Sequence, residues 1–251
     1  GVTRFAILSV GGLVCAVVGA ILGGSAQLAL WGITILLDLT AALVAGDSDS
    51  WALHAEHFAE RHGLIVIIAL GESLIVAAGG VVGTGLSGEV LPVAVLAVLV
   101  SCGAWWTYFP IAKPRMEEAS EAVTGARRSM MMRDAYSIGH VPLLAGVIVY
   151  AVGLEEALAH PATPLPTEGR LSIAVGLFLF LAGTSIAVWR TTGHMSAFRT
   201  VVAATMAAGI FFAEGVAPLA TLGIAFVGVA LIAAVDETRA QRLRAELAPT
   251  P

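Results

Sequence analysis

Long apolar runs make up most of this chain, and its charged residues lie almost entirely in the gaps between them. Only two carboxylates, Asp38 and Glu72, interrupt the runs themselves. Hydrophobic residues make up 58% of the chain and charged residues 12%, whereas about a quarter of a soluble domain is charged. So little polar surface cannot cover a soluble protein, and the runs lack the alternation of a membrane β-barrel. The sequence therefore predicts an all-α, polytopic membrane protein.

A membrane-spanning helix needs about 20 mainly apolar residues, and eight segments approach that length. The boundary between the last two depends on Glu214, Gly215 and Pro218, which favour a tight turn; one kinked helix is the alternative. We interpret the whole chain, 1–251, as one transmembrane domain with cytoplasmic connectors near 47–63 and 110–134. The predicted spans lie at roughly 5–23, 26–46, 64–83, 90–109, 135–153, 170–189, 199–213 and 216–235.

The basic residues indicate the orientation of these spans, because Lys and Arg are retained on the cytoplasmic side of a membrane. If the first residues are cytoplasmic, all but one of the 13 basic residues fall on that side, and Arg170 alone falls on the other. This asymmetry predicts that both ends of the chain are cytoplasmic. The chain begins at Gly1 and enters an apolar run almost at once, so we interpret it as part of a longer protein.

Composition also narrows the class of function. A net charge of −5, without clustered basic and aromatic residues, argues against nucleic-acid binding. Cys15 and Cys102 lie inside apolar runs and are expected to be small core residues. The sequence contains neither GxSxG nor HExxH, so an enzyme is the least favoured class. We expect no catalytic residues and no cofactor.

The two intramembrane carboxylates are the first candidates for a functional site. At 100° per residue, Asp38 shares a helical stripe with Thr34, while Glu72 lies on one line with Gly79 and Gly83. The spacing of those two glycines permits close helix approach. Both carboxylates are expected about 12 Å inside the membrane. We predict that they face the bundle interior and share a proton or hold a cation; the alternative is two protonated acids that only hydrogen-bond neighbouring helices.

The densest polar segment lies between the second and third spans. Imidazole and carboxylate groups suit zinc or iron, so His54 and His57 with Glu60 or His62 could bind a metal. A solvated helix that leads into the third span is the interpretation we favour, and we predict no metal site. The polar residues of this segment are Asp47, Asp49, His54, Glu56, His57, Glu60, Arg61 and His62.

The run HFAERHGLIVIIALGES, from His57 to Ser73, resembles the central motif of the low temperature requirement protein A family of bacterial multi-pass membrane proteins. Tyr136-Ser137 with His140 and Pro142, and the later GLEEA run at 153–157, resemble that family too. The resemblance implies a multi-pass protein of the bacterial inner membrane, linked by name to growth in the cold. The residues that match the motif are His57, Glu60, Arg61, Gly71, Glu72, Ser73, Tyr136 and His140.

Two departures from the family pattern are visible. The family's acidic and aromatic amino-terminal segment is absent, which again indicates a chain that is part of a longer protein. The family also tends to place an aspartate after a Tyr-Phe pair, where this chain has Pro110 after Tyr108 and Phe109. No role of that aspartate can be carried over to this chain.

His140 lies one helical turn after Tyr136, near the cytoplasmic end of the fifth span. A neutral histidine there could relay protons to the acidic pair, or it could make only a structural hydrogen bond. The candidate proton or cation site therefore comprises Asp38, Glu72, Tyr136 and His140. We predict a proton- or cation-coupled transporter or channel that contacts lipid and forms oligomers; the alternative is a non-catalytic membrane factor for cold or envelope stress, acting through packing and partners.

Overall fold

The structure is a computed structural model that describes residues 2–45, 55–82 and 87–247. All regular secondary structure in those ranges is helical, and seven helical stretches are long and apolar enough to cross a membrane. The prediction of a polytopic helical bundle is confirmed. The helices are α1 (Val2–Leu22), α2 (Gly24–Ala45), α3 (Ala55–Gly79), α4 (Val90–Thr107), α5 (Lys113–Glu121), α6 (Gly125–Met132), α7 (Gly139–Ala159), α8 (Thr167–Thr192), α9 (Ala197–Phe211) and α10 (Pro218–Leu247), with π-helical turns at Tyr108–Ala112 and Arg133–Ile138.

Several helices extend beyond the apolar runs that predicted them. The third begins at Ala55, so the polar segment before residue 64 continues into the span as helix. The fourth span runs through the first π turn into α5, and the fifth begins with α6 and continues through the second π turn. The predicted connector near 110–134 is therefore largely a helical hairpin, turned at Gly125 with φ +64°. Hydropathy marks only the part of a helix that meets lipid.

The predicted break before the last span is present. Helix α9 ends at Phe211, Gly215 takes a left-handed φ of +74°, and α10 begins at Pro218. A non-glycine residue is strained in that conformation, and Pro218 sits at the first helical position, where its missing N–H costs no helical hydrogen bond. The single kinked helix is wrong. The predicted seventh span corresponds to α9, an apolar helix of 15 residues that is shorter than the seven helices long enough to cross a membrane.

Helices α7 and α8 form the most extensive helix pair of the bundle, and glycines spaced seven residues apart line their contact. A methyl group on Gly146 would lie 2.5 Å from the Gly176 carbonyl oxygen, and one on Gly176 would lie 2.4 Å from the Tyr150 backbone nitrogen. Such small residues allow two backbones to approach closely where lipid supplies no hydrophobic driving force. The glycines are Gly139, Gly146 and Gly153 on α7 with Gly169, Gly176 and Gly183 on α8.

Helices α1 and α2 form a hairpin at the edge of the bundle. They pack on each other, with the Thr34 hydroxyl donating to the Gly12 carbonyl at 3.0 Å, and most of their side chains are exposed. The hairpin meets the rest of the bundle mainly near the second π turn, where Arg133 Nη1 donates to the Leu43 carbonyl at 3.2 Å. Its apolar surface is lipid-facing surface.

Charged residues gather at the end of the bundle that carries α5, α6 and the start of α9; we call it the basic end. Asp134 accepts from Arg133 at 2.7 Å and from Arg190, which joins the second π turn to the end of α8. Arg170 lies at the opposite end, where it donates to the Leu165 carbonyl at 2.8 Å. The structure thus keeps the segregation of charge that the sequence shows.

We expect the glycine contact between α7 and α8 to limit stability. Gly176→Ala forces a methyl group into the α7 backbone and should cost about 1–3 kcal/mol, the usual range for overpacking. Unfolding of the protein in detergent measures this change. Gly71→Ala is the matched control, because Gly71 has open space around it and alanine favours the helix by roughly 0.5–1 kcal/mol. Equal stability of the two variants would contradict the packing described above.

Candidate functional site

Four aromatic and imidazole rings meet inside the bundle near its basic end; we call them the His–Tyr cluster. They are His62 on α3, Tyr108 and Tyr136 in the two π turns, and His140 at the start of α7. Tyr136 stacks on His140 with ring centroids 5.5 Å apart, and His62 lies 5.4 Å from each of those rings. Tyr108, Tyr136 and His140 are buried, and His62 is half-buried. The cluster therefore joins α3, α4 and α7.

Hydrogen bonds assign the proton on His140. Its Nδ1 lies 3.0 Å from the Ala135 carbonyl oxygen, which can only accept, so Nδ1 carries the hydrogen. In the neutral ring Nε2 is then an acceptor, and it lies 2.8 Å from the Tyr108 hydroxyl, which donates to it. His62 is oriented in the same way, with Nδ1 2.8 Å from the Phe58 carbonyl. Both imidazoles thus leave Nε2 as the basic nitrogen.

The two π turns place the tyrosines of the cluster. A π turn adds one residue to a helical turn, and such turns are frequent at functional sites. The first contains Pro110, and the second lies just before Pro142, whose missing N–H leaves the Ile138 carbonyl without its α-helical partner. The Ala135 carbonyl in the second turn instead accepts from the His140 side chain. The local helix geometry and the side-chain hydrogen bonds therefore form together.

One polar group of the cluster lacks a partner. The Tyr136 hydroxyl is buried, and among the described residues it makes no hydrogen bond. An unsatisfied buried hydroxyl costs about 1–3 kcal/mol, so Tyr136 offers an open hydrogen-bonding position inside the bundle. Glu117 and Glu121 of α5 are near enough to Tyr136 for a charge interaction. The hydroxyl therefore lies between the buried rings and an acidic helix face.

Helix α5 packs on α3 at Gly63, a buried residue next to His62. A methyl group on Gly63 would lie 3.2 Å from Cε of Lys113 and 3.6 Å from the Phe109 ring, so α5 packs directly on the helix turn that carries His62. Lys113 forms an ion pair with Glu117, and both side chains are partly exposed. A partly exposed ion pair therefore lies over the residue that follows His62 in the chain.

A second polar level lies deeper in the bundle. Ser101 on α4 and Tyr150 on α7 are buried side by side, and the Tyr150 hydroxyl lies 3.4 Å from the Ala97 carbonyl. Ser101 is seven residues before Tyr108, and Tyr150 is ten after His140, so the level lies about 10–15 Å from the His–Tyr cluster along the helices. Between the levels these stripes carry mostly apolar residues, Ala104 on α4 with Leu143 and Val147 on α7, and the hydroxyl of the buried Thr107 donates to the Ala104 carbonyl at 2.8 Å within its own helix.

Asp38 and Glu72 are not brought together by the structure. Helix α2 packs on α1, and α3 packs mainly on α7, so α2 and α3 do not pack along each other. Both carboxylate side chains are exposed, and neither makes an ion pair or hydrogen bond with another described residue. These positions differ from the predicted interior face, because the buried stripe of α3 carries Ser73, 100° around the helix from Glu72.

The close approach that the sequence assigned to Gly79 is made by its neighbour. A methyl group on Gly80 would lie 2.4 Å from the Glu155 carbonyl oxygen, whereas Gly79 has nothing within 4 Å. Gly83 lies outside the described residues. The end of α3 therefore packs on α7 through Gly80.

The remaining motif residues are divided between surface and core. His57 and Glu60 form an exposed pair, with 3.7 Å between Nδ1 and Oε2, and Arg61 is also exposed. Gly71 is exposed as well. Ser73 is 2% exposed, and its hydroxyl donates to the Leu70 carbonyl at 2.7 Å.

The described residues contain no group of three His, Cys, Asp or Glu side chains that could hold a metal ion. His62 turns away from His57 and toward the buried rings. Asp47, Asp49 and His54 lie outside the described residues. The described residues therefore provide no set of ligands for the metal site that the sequence left as an alternative.

Sequence reasoning found Tyr136 and His140 but missed their partners. His62 was grouped with the polar surface segment, although it lies beside Ala59, Gly63 and Val66 on the buried stripe of α3. Tyr108 lies at the end of an apolar run, and no feature of that run identifies it as a site residue. Counting which residues of α3 share a stripe with the buried motif residue Ser73 would have found His62, whereas the contact between Tyr108 and His140 has no sequence signal.

These features define a class of protein: a multi-pass helical membrane protein with polar groups buried between its helices. Comparison with known proteins identifies the family, because residues 1–235 match the bacterial low temperature requirement A protein (LtrA) family. The chain belongs to this family. The match begins at the first residue, whereas the motifs that carry the resemblance in the sequence begin at His57.

A relative from Rhizobium meliloti (strain 1021), described as an uncharacterized protein, is 30% identical over 167 residues. That alignment covers 63% of this chain and 40% of the relative, so the chain spans less than half the length of the curated relative it matches. No solved structure matches the chain. The match to the family model therefore establishes the family, and the activity must be argued from the site.

The two tyrosines of the cluster give opposite predictions for stability. Tyr108→Phe removes the donor to His140 and leaves its Nε2 buried without a partner, which should cost about 1–3 kcal/mol. Tyr136→Phe removes a buried hydroxyl that has no partner among the described residues, so it should leave stability unchanged or raise it by up to about 1–3 kcal/mol. Unfolding in detergent measures both variants. A larger loss for Tyr136→Phe than for Tyr108→Phe would contradict the hydrogen bonding described here.

Proposed function

We propose that this chain is a proton- or cation-coupled transporter or channel, and that the His–Tyr cluster is its proton-handling site. The observation that carries the proposal is the buried hydrogen bond of 2.8 Å between Tyr108 and His140 Nε2, with the unpartnered Tyr136 hydroxyl beside it. Histidine changes charge near neutral pH more readily than any other side chain. Polar groups inside a membrane bundle are costly, and function is the default explanation for them.

In this proposal a proton enters from the basic end past the pair of Lys113 and Glu117. His62 Nε2 and the Tyr136 hydroxyl pass it inward to His140, whose Nε2 accepts it when the hydrogen bond from Tyr108 opens. His140 then holds one proton on each nitrogen and releases one of them toward the level of Ser101 and Tyr150. The apolar layer between the two levels is the barrier, so a change in helix packing must accompany each transfer.

Asp38 and Glu72 stay candidates for a proton or cation site, and each acts separately here because α2 does not pack along α3. Bare carboxylates facing lipid are costly, so we propose that each is protonated, holds a cation or is covered by further protein. We also propose that the chain lies in the inner membrane with both ends cytoplasmic. The asymmetry of basic residues supports this orientation.

Proton flux into proteoliposomes tests the proposal. The wild-type protein should carry protons down an imposed pH gradient, so that the pH inside the vesicles changes in the direction of the gradient. The proton flux should fall at least about tenfold in Tyr136→Phe, because a donor group in the transfer path contributes roughly 10²–10⁴-fold to the rate of proton transfer. The loss should occur without loss of stability. Glu72→Gln, measured in parallel, separates the cluster from the exposed carboxylate.

Two outcomes would contradict the proposal. If vesicles containing the wild-type protein take up protons and monovalent cations no faster than empty vesicles do, transport of these ions is ruled out. Flux that is unchanged in Tyr136→Phe and in His140→Gln, but lost in Glu72→Gln, would move the site to Glu72. A conservative Phe109→Leu variant, which alters the cluster's surroundings without removing a polar group, serves as control.

The second candidate function is a non-catalytic membrane factor for cold or envelope stress. The exposed carboxylates favour it, because two unpaired acidic groups on the outer surface of the bundle suit contacts with another protein. In this case Tyr108 and His140 only fix the packing of α4 against α7. Full activity of Tyr136→Phe in restoring growth of a deletion strain, together with background flux, would favour this candidate.

A further inference from the structure

Arg199 and Asp236 form an ion pair that is buried between α9 and α10. Arg199 is 5% exposed and Asp236 7% exposed, and Arg199 Nη1 donates to Asp236 Oδ2 at 3.0 Å. Removing two charges from water is costly, and their attraction repays that cost only when the other hydrogen-bonding atoms are also satisfied. The pair lies at the basic end, away from the His–Tyr cluster's own residues.

The arginine is only partly satisfied. Its Nε and Nη2 atoms are buried and make no hydrogen bond with any described residue. These two atoms form one edge of the guanidinium, with parallel N–H bonds that match two oxygens of a carboxylate or phosphate. Asp236 occupies the other terminal nitrogen. The structure therefore holds a buried, two-donor edge that is built for an oxyanion and has none within the described chain.

The surroundings of this edge are also positive. Ser196 caps α9 by accepting from the Arg199 backbone N–H at 3.3 Å, so the positive end of that helix dipole lies here. Arg239 of α10 donates to the same Ser196 hydroxyl at 3.1 Å. Arg115 of α5 is close enough to Arg199 for charge repulsion. Asp236 therefore supplies one negative charge, whereas three arginines and the N-terminus of α9 supply positive charge. The neighbouring Glu237 accepts a hydrogen bond from the Gln241 side chain at 2.9 Å.

We propose that this site binds a phosphate group, with two oxygens on the Nε–Nη2 edge of Arg199 and a further contact from Arg239. The exposed Arg239 side chain lies over the Phe198 ring, 5.6 Å from its centroid, and it moves aside to admit the ligand. Phosphate at a helix N-terminus beside arginine follows from their combined donors and charge. The group belongs either to an anionic lipid of the adjoining leaflet or to a soluble phosphate.

Phosphate fits better than a carboxylate because the site carries three arginines and only one acidic partner. Basic groups at a membrane surface attract anionic lipids by about 1 kcal/mol each, and a buried two-donor edge adds specificity to that attraction. The site is independent of the proposed proton pathway, since it contains no residue of the His–Tyr cluster. Binding here strengthens the connection between α9 and α10.

Two probes distinguish the sources of the phosphate. Inorganic phosphate is titrated onto the protein in detergent, with the unfolding temperature as readout. Phosphatidylglycerol is offered in phosphatidylcholine nanodiscs, with retained lipid counted by native mass spectrometry. Stabilisation by phosphate alone identifies a soluble ligand, and selective retention of phosphatidylglycerol identifies the lipid headgroup; either result supports the site.

Matched variants locate the binding. Arg199→Lys keeps a positive charge beside Asp236 but removes the two-donor edge, so affinity should fall about tenfold or more, the effect of losing one charged hydrogen bond. Arg239→Gln should weaken binding without touching the buried pair, and it carries the test if Arg199→Lys does not fold. Arg127→Gln, an exposed arginine of α6, should bind as the wild type does. These readouts require no transport activity.

The proposal is overturned if the wild type binds neither probe. It is also overturned if Arg239→Gln binds both probes as tightly as the wild type does, whether or not the separate Arg199→Lys variant folds. Equal weakening in Arg127→Gln would show that the binding is a general surface-charge effect and would overturn the site as well.

Discussion

The close approach of α7 to α8 is the contact on which the rest of the bundle depends. Glycines at seven-residue spacing bring the two backbones together, with atoms of one helix standing where a side chain of the other would begin. In a membrane the hydrophobic effect does not drive helices together, so close packing and hydrogen bonds must hold them. The second π turn precedes α7 and joins α8 through Asp134 and Arg190. The positions of Tyr136 and His140 are therefore fixed by the glycine contact between α7 and α8 together with the Asp134–Arg190 ion pair.

The buried polar groups follow from this framework. Proline and π turns interrupt the regular helix hydrogen bonds at the same depth in two neighbouring spans, and the freed groups are partly satisfied by side chains such as His140. Among the buried Tyr108, Tyr136 and His140, the Tyr136 hydroxyl is the one polar side-chain group without a hydrogen-bond partner among the described residues. At the basic end, Arg199 is also only partly hydrogen-bonded. Its Nη1 donates to Asp236, whereas its Nε and Nη2 have no partner among the described residues. Unsatisfied buried donors and acceptors are expensive to retain, and in this fold they mark where a proton or a ligand is expected.

Much of the fold could be predicted from the sequence, because spans and basic asymmetry are properties of single segments. The break before Pro218 was predictable from Gly215 and Pro218, since both act locally. The positions of Asp38 and Glu72 were not, because a helical wheel gives the angle between residues and does not say which angle meets a neighbouring helix. Tyr136 and His140 lie one turn apart and were found together, whereas Tyr108 reaches His140 across 32 residues of sequence. Only the packing of α4 on α7 makes that contact.

The central claim is that His140 is held as the neutral Nδ1–H form, with Nε2 accepting from the Tyr108 hydroxyl inside the bundle. Nitrogen-15 spectroscopy of histidine-labelled protein in lipid measures this directly, with His140→Gln used to assign the signal. We expect one protonated Nδ1 and one unprotonated, hydrogen-bonded Nε2 at neutral pH, and loss of the Nε2 hydrogen-bond shift in Tyr108→Phe. A proton on Nε2 with a bare Nδ1, or a spectrum unchanged by Tyr108→Phe, would contradict the account.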